Sequence, residues 1–389
     1  MRRLAPIIYG IVFFDALLMF AIVPVLPSYV DALSLSKTQA GAVIGIYSAA
    51  TLVMSLPAGR IADRLGPRRI TVAGVALMTV STLAYAGAHS FWLLLAARGG
   101  QGIASGISWT AGLAWLSSQT APERRGRALG IGMTFGSVGA LIGPVLVGPM
   151  EGRLGIREPF VIFAAISALL TVVSALPPDV RDGEHVEHVG LLETFRIASR
   201  GRLMACAVMI MVLVAAVSGV LETLIPLRMG SAGYSASAIS LMLGLAGVGS
   251  AITQLAVGKA YDRIGGLRIA FAAIAAMALV TTLLAVPDAA LVLAAIYVVG
   301  TPAISAQYAI SFPLAAEGAD EVGLPHGIVL GAINVCWGFG FFVGPAAGAA
   351  IAEGTSDRVT YLLAAMLSLA ALPLLRALAL SPGECQEAA

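Results

Sequence analysis

Two acids interrupt long apolar runs in this chain: Asp15 in FFDALLMF (13–20) and Glu222 in VLETLIPLRM (220–229). A charged carboxylate at the centre of a bilayer costs roughly 2.5–3.5 kcal/mol, so each acid needs a partner or a proton. A carboxyl in such a place takes up or releases its proton according to when water reaches it. That is the chemistry of proton coupling, and a cationic substrate can compete for the same group. At the helical rise Asp15 lies about 18 Å beyond Arg3, near a midplane. Glu222 precedes Pro226 by four residues, in an outer half. Arg98 is the one basic residue within a membrane span away from its ends, and Gln101, Ser105 and Trp109 follow it at +3, +7 and +11, on one helical face. Such a stripe suits a cavity wall, where Arg98 would order polar groups; the alternative is an arginine that snorkels to the outer surface.

The elements that must carry these residues are membrane helices. Of 389 residues, 59% are hydrophobic and 11% charged, with mean hydropathy +0.93; a soluble domain is about a quarter charged. Runs long enough to cross ~30 Å of hydrocarbon occur at 5–30, 39–58, 70–88, 91–119, 128–149 and 159–177, and again at 203–227, 236–257, 268–286, 289–315, 326–351 and 358–380. The expected fold is therefore all-α and integral to the membrane, with twelve transmembrane helices. A six-helix half at 1–178 and another at 203–389 are joined by a polar linker at 179–202, whose LLETFRIAS stretch suits a short helix on the membrane surface. With the N-terminus inside, seventeen of the 23 Lys and Arg residues fall in cytoplasmic segments and five in outer loops, so both termini are expected in the cytoplasm. The basic, apolar start reads as a retained helix because no A-x-A-like cleavage site precedes the next span.

The halves repeat. GRIADRLGPRR (59–69) and GKAYDRIGGLR (258–268) share Gly, Asp-Arg and Gly at an offset of 199. Gly130, Gly139, Gly143-Pro144 and Gly148 reappear as Gly331, Gly340, Gly344-Pro345 and Gly348, offset by 201 until the last, where it is 200. Parallel internal repetition of two six-helix halves is one construction of transporters, with a site at the midplane. Gly59 permits close helix approach and Gly66 a tight turn. Arg64, Arg68 and Arg69 keep the loop on the cytoplasmic side, and Asp63 can accept bonds from helix N-termini or from the Arg124–Arg127 group. Gly139 and Gly143 share a packing face, and Pro144 bends its helix; Gly344 and Pro345 would do the same in the second half. Pro24 and Pro27 would break the first span beyond Asp15.

GRIADRLGPRR resembles the loop signature of the major facilitator superfamily, and its second copy, with Asp262 and Arg263, strengthens the likeness. RGGQG (98–102) resembles the fourth-span signature of proton-coupled members. G-x8-G-x3-GP-x2-V-G in span 5 resembles that of drug antiporters, with Val147 in place of a glycine. FFDALLMFAIVPVLPSYV and VLETLIPLRM are similar to spans 1 and 7 of vesicular amine transporters and their bacterial relatives. A rough alignment sets Tyr308 and Asn334 where those carriers have acids in spans 10 and 11, and span 2 has no charge where they have lysine. The resemblance implies that the Asp63 lock holds an outward-open state and that the span-5 bend seals a leak path and favours antiport.

The expectation is a carrier that exports amphipathic or cationic organic compounds in exchange for protons by alternating access. Asp15 and Glu222 would couple the protons, and Arg98, Gln101, Ser105, Trp109, Asn334 and Tyr308 would line the cavity. Tyr9, Phe13, Tyr47, Trp337 and Gln307 are further candidates for the wall. The partners would be small molecules, protons and the lipid of the cell membrane, with no nucleic acid, metal or cofactor and a monomer as the working unit. Alternatives on the same fold are an exporter of one native metabolite or a sugar importer, the latter wanting more hydrogen-bonding side chains. Four histidines lie in loops or at span ends, three cysteines give no disulfide or zinc framework, and no phosphate-binding G-x4-G-K-[ST] loop occurs. A membrane enzyme or receptor therefore has little behind it.

Overall fold

A computed structural model describes residues 4–177, 201–324 and 326–379. The linker expected at 179–202, with its surface helix, lies outside the described residues except at its last two positions. Every regular element described is helical. Proline at 24 and 27 removes two backbone donors, so the first apolar run does not form one rod. Helix α1 (Leu4–Ala21) stops, Val23–Val25 form a 3-10 turn, and α2 (Leu26–Leu33) continues to Ser34 at φ 50°. The chain then forms α3 (Lys37–Leu65), α4 (Pro67–Ala86), α5 (Phe91–Ser118), α6 (Pro122–Leu154) and α7 (Glu158–Ser174). After the linker come α8 (Arg202–Ser231), α9 (Ala236–Ile264), α10 (Gly266–Leu284), α11 (Ala290–Val322), α12 (His326–Gly354) and α13 (Asp357–Ala379).

Local chemistry sets the ends. Ser36 opens α3 with a reciprocal capping box: its hydroxyl accepts the Gln39 amide at 3.2 Å, and the Gln39 side chain accepts the Ser36 amide at 3.0 Å. Both copies of the loop motif are more helical than the expected spans, because Ala, Leu, Ile and Arg are adequate helix formers that carry α3 to Leu65 and α9 to Ile264. The turn proper is a single glycine in each copy, Gly66 at φ 93° and Gly265 at φ 88°, a region that side-chain-bearing residues avoid.

Ten helical segments are long and apolar enough to cross a membrane: Leu4–Leu33, Lys37–Ser55, Pro67–Ala86, Arg124–Leu154, Arg202–Ser231, Ala236–Ile264, Gly266–Leu284, Ala290–Val322, Gly331–Gly354 and Asp357–Ala379. Glu158–Ser174 is apolar but shorter, and α5 is longer but more polar. The burial pattern inverts that of a soluble protein. Large apolar side chains such as Trp92, Leu255 and Val299 are exposed, while Asp15, Arg98 and Gln101 are buried. Apolar exteriors of that extent mark surfaces that face something other than water, and polar groups turned inward are what hydrocarbon demands.

The described residues group into two compact units, one within Met1–Val186 and Pro226–Gly244, the other within Glu187–Ile225 and Leu245–Ala389. In the first, α1 packs on α6, and α5 lies against both α3 and α4. An apolar cluster of Leu4, Ile8, Ile11, Val12, Val75, Trp115 and Leu116 fills one end of its interior. In the second, α10 packs on α11 and α13, and α12 lies against α11 and α13.

Candidate functional site

The break in α1 creates the chemistry around it. A helix that stops at Ala21 leaves its last four carbonyls without helical partners. Arg98, on α5, reaches two of them, donating Nη1–H to Leu18 O at 3.2 Å and Nη2–H to Met19 O. A cation at a helix C-terminus also meets the negative end of the helix dipole. A further Nη1–H bond goes to Gln101 Oε1 at 3.0 Å, and Gln101 Nε2 donates to Thr82 on α4 at 3.1 Å. Arg98 is 2% exposed, so it does not snorkel; it lies inside the first unit.

Asp15 sits one turn before those carbonyls and is 6% exposed. Its Oδ1 accepts the Tyr47 hydroxyl at 3.2 Å and its Oδ2 accepts the Ser105 hydroxyl at 2.8 Å. The Tyr47 ring also receives the guanidinium, with Arg98 Cζ 4.5 Å from the ring centroid, a cation–π distance. Tyr47 therefore stands between acid and base, giving its hydroxyl to one and its face to the other. The structure thus brings Asp15, Arg98, Gln101, Ser105 and Tyr47 into one buried cluster. Trp109, at the far end of the expected stripe, is half-buried, and its indole lies towards Gly136 of α6.

The glycines of RGGQG let the helices close around that cluster. A Cβ on Gly100 would lie 2.5 Å from the Ser81 hydroxyl of α4, and one on Gly102 would run into the Tyr47 carbonyl of α3. Thr51 then donates to Gly102 O at 3.0 Å. The span-5 glycines act on α1 in the same way: a Cβ on Gly139 would collide with Phe13 O, and one on Gly143 with Leu17 O. Asp15 lies between those two carbonyls, so the glycine face of α6 clamps the turn that carries the acid. In the second unit Gly340 bears on Val212 O and Gly344 on Ala216 O of α8. Gly130 and Gly331, the first glycines of the two copies, face open space. Pro144 and Pro345 lie within helices that continue past them, and Pro345 meets Gly219 of α8.

Glu222 lies on the part of α8 that belongs to the second unit. Its Oε2 is closed off from solvent without a hydrogen-bond partner among the described residues. Tyr297 and Tyr308 of α11 lie close enough to interact with it electrostatically, and Ser218 and Trp337 lie beside Tyr308. This second cluster gathers Glu222, Tyr308 and Trp337 and adds Tyr297. Trp337 stacks on Phe341, with centroids 5.4 Å apart. Asn334 is on an exposed face of α12. Gln307 turns to α10, donating to Ala273 O and Met277 Sδ at 3.4 Å each. In the first unit Tyr9 stacks on Phe135 at 5.4 Å.

Asp63, Arg64, Asp262 and Arg263 are exposed and Gly59 is half-buried. Arg68 donates to Ala175 O, the carbonyl that closes α7, and so ties the loop motif to the end of α7.

Sequence reasoning did not single out Thr82, Ser218, Tyr297 or Ser240, the last of which bonds to α6 at Pro144 and Gly148. Nothing in the sequence separates them from other polar residues of apolar spans.

Three comparisons bear on this architecture. The Major Facilitator Superfamily model matches residues 8–329. Among curated proteins, the chain is 28% identical over 281 residues to multidrug resistance protein MdtG of Serratia proteamaculans, covering 69% of this chain and 67% of that one. It is 29% identical over 222 residues to the probable vesicular acetylcholine transporter-B of Danio rerio, covering 53% of this chain and 45% of that one. It is 32% identical over 151 residues to the MFS-type transporter ppzB of Metarhizium rileyi, covering 39% and 31%. The matches thus span less than half the length of the last two relatives. The fold matches a solved nucleoside transporter, NupG, with TM-score 0.79 at 15% identity over 96% of this chain and 98% of that one. It also matches a bacterial homolog of the human lysosomal transporter Spinster, with TM-score 0.75 at 16% identity over 96% of each.

Proposed function

Because the chain belongs to the major facilitator superfamily, whose members are transporters and not enzymes, we propose that it is a proton-coupled exporter of amphipathic or cationic organic compounds. Ten segments long enough to cross, the shorter α7 and the polar α5 make twelve spans in this reading, in two six-helix halves. It works as a monomer in the cell membrane with both termini in the cytoplasm, alternating access between its two sides. The observation that carries the proposal is the setting of Asp15. Each carboxylate oxygen is bonded to a hydroxyl, Tyr47 on one side and Ser105 on the other. A hydroxyl donates to an ionised carboxylate and can turn to accept from a protonated one, so these partners serve the acid in both states.

Arg98, whose terminal nitrogens bond to the α1 carbonyls and to Gln101, keeps its charge close by without a direct ion pair to Asp15 among the described residues. Glu222, with an unpartnered oxygen beside two tyrosines, is the group in the second unit to attract either a proton or a cation. The likeness to MdtG and to an acetylcholine transporter supports organic, cationic cargo. Asp63, Arg64 and Arg68, with Asp262 and Arg263, form the conformational lock of this reading.

The test uses inverted vesicles with an acid interior and a panel of lipophilic cations. Several compounds should discharge the pH gradient through the wild-type protein and not through Asp15→Asn at equal expression. Normal coupling in Asp15→Asn removes that acid from the mechanism. If no compound acts on the wild type, the cargo is one native metabolite and the broad-export reading is dropped.

A further inference from the structure

A regular α-helix joins the carbonyl of one residue to the amide four residues on. In α6 the carbonyl of Pro144 and the amide of Gly148 are such a pair, and a side chain from another helix engages both. Ser240 of α9 donates its hydroxyl to Pro144 O at 2.5 Å and accepts the Gly148 amide at 3.1 Å. Ser237, nearly one turn earlier, donates to Gly148 O at 3.2 Å. Ser240 is 1% exposed, so no bulk water shares the bonds. The approach depends on the missing side chain at 148, where a Cβ would run into Ala236 O and Ser240 Oγ. All of these residues belong to the first compact unit.

We propose that Ser240 is a gate residue of the transport cycle: its hydroxyl splices α9 into α6 beside Gly143-Pro144 and withdraws when the two helices part. The proposal rests on the carrier reading above. What sets the splice apart from an ordinary interhelical bond is that neither state strands a polar group. Inserted, the hydroxyl serves both α6 groups. Withdrawn, it leaves Pro144 O and Gly148 N to bond each other, and it can turn to the carbonyl four residues back on its own helix, that of Ala236. Stranded polar groups are what a membrane interior penalises most, so an exchange without them lets a gate open and close with little bias. Among the described residues the second copy of the motif is held differently. There a Cβ on Gly348 would lie 2.6 Å from Val220 Cγ2, and Gly348 O accepts from Thr360 of α13 at 3.3 Å.

The test measures distances between spin labels at Arg153→Cys and Ala232→Cys, both exposed positions of the first unit, on the full chain in nanodiscs, with the native cysteines replaced and no substrate added. Ser240→Ala should shift the ratio of short to long distances by roughly two- to tenfold, the range one net hydrogen bond commands. Gly148→Ala, which fills the hydroxyl's place from the opposite helix, should reproduce that shift, and the double variant should add nothing. Ser237→Ala loses a bond at the same contact but leaves the splice, and should shift the ratio less. Wild-type distances in both Ser240→Ala and Gly148→Ala overturn the proposal, as does a shift in Ser237→Ala equal to that in Ser240→Ala. Should Ser240→Ala fail to fold, Gly148→Ala carries the test. The readout needs no transport, so a failure of proton-coupled export leaves it legible.

Discussion

Replacing glycine by alanine at two places in one motif should have opposite effects, for reasons visible in the packing. At Gly143 the added methyl group would collide with Leu17 O and lie 3.1 Å from Leu17 Cα. Backbone cannot turn aside as a flexible side chain can, so α1 and α6 must separate. Overpacking of this kind costs typically 1–3 kcal/mol. At Gly130 nothing lies within 4 Å of the new Cβ and the residue is exposed. There alanine should stabilise the helix by roughly 0.5–1 kcal/mol. Thermal unfolding of the purified protein should therefore move down for Gly143→Ala and up for Gly130→Ala, at about 2–4 °C per kcal/mol for a unit of this size. Function should follow. Moving Leu17 pulls Asp15 from Ser105 and Tyr47, and hydrogen bonds to a charged group are worth about 1.5–3 kcal/mol, so proton-coupled transport should fall roughly tenfold or more. Gly344→Ala and Gly331→Ala should repeat the contrast in the second unit, where Gly344 meets Ala216 O and Gly331 meets nothing. A Gly143→Ala protein as stable and active as Gly130→Ala would refute the claim that the glycine face clamps the acid-bearing turn.

Two substitutions separate the roles joined at the buried cluster. Tyr47→Phe keeps the ring under Arg98 and removes the hydroxyl from Asp15, so folding yield should hold while the pH dependence of transport shifts; an unchanged profile would take Tyr47 out of the acid's environment. Arg98→Lys keeps a positive charge but loses the fork that spans Leu18 O and Met19 O. It should lower the melting temperature as well as transport, and a variant with wild-type stability would show that the carbonyls of α1 do not depend on Arg98.

The sequence made the acids, the arginine and the close-packed helix faces legible because each carries a local signal: a charge in hydrocarbon, glycine at packing intervals. The break of α1 followed from Pro24 and Pro27, and the loop turns from Gly66 and Gly265. The expected loop lengths were less accurate, since apolarity ends where the helix leaves the hydrocarbon and not where the helix itself ends. The partners of these residues were hidden. Arg98 bonds to backbone carbonyls of α1, and every residue has a carbonyl, so no residue type announces the contact. The stripe from Arg98 to Trp109 suggested one wall, yet Gln101 goes to Thr82, Ser105 to Asp15, and Trp109 towards α6. A stripe fixes a face, and neighbouring helices decide what each part of it meets. Ser240 was invisible for a simpler reason: a serine in an apolar span carries no sign of which distant turn it will enter.

The arrangement of Arg98, Tyr47 and Asp15 also fits what the proposed proton coupling asks of the acid. An arginine bonded directly to Asp15 would favour the ionised carboxylate, and an acid held in one form cannot carry protons. Here the broken end of α1 accepts from both terminal nitrogens of the guanidinium, and the Tyr47 ring occupies the space between base and acid. The positive charge stays close to the carboxyl while the carboxyl keeps partners that suit either of its states. The proline break, the buried arginine and the acid with two hydroxyl partners are thus one construction: the break supplies carbonyls, the carbonyls hold the arginine, and the arginine so held makes no direct bond to the acid, as the proposed proton coupling requires.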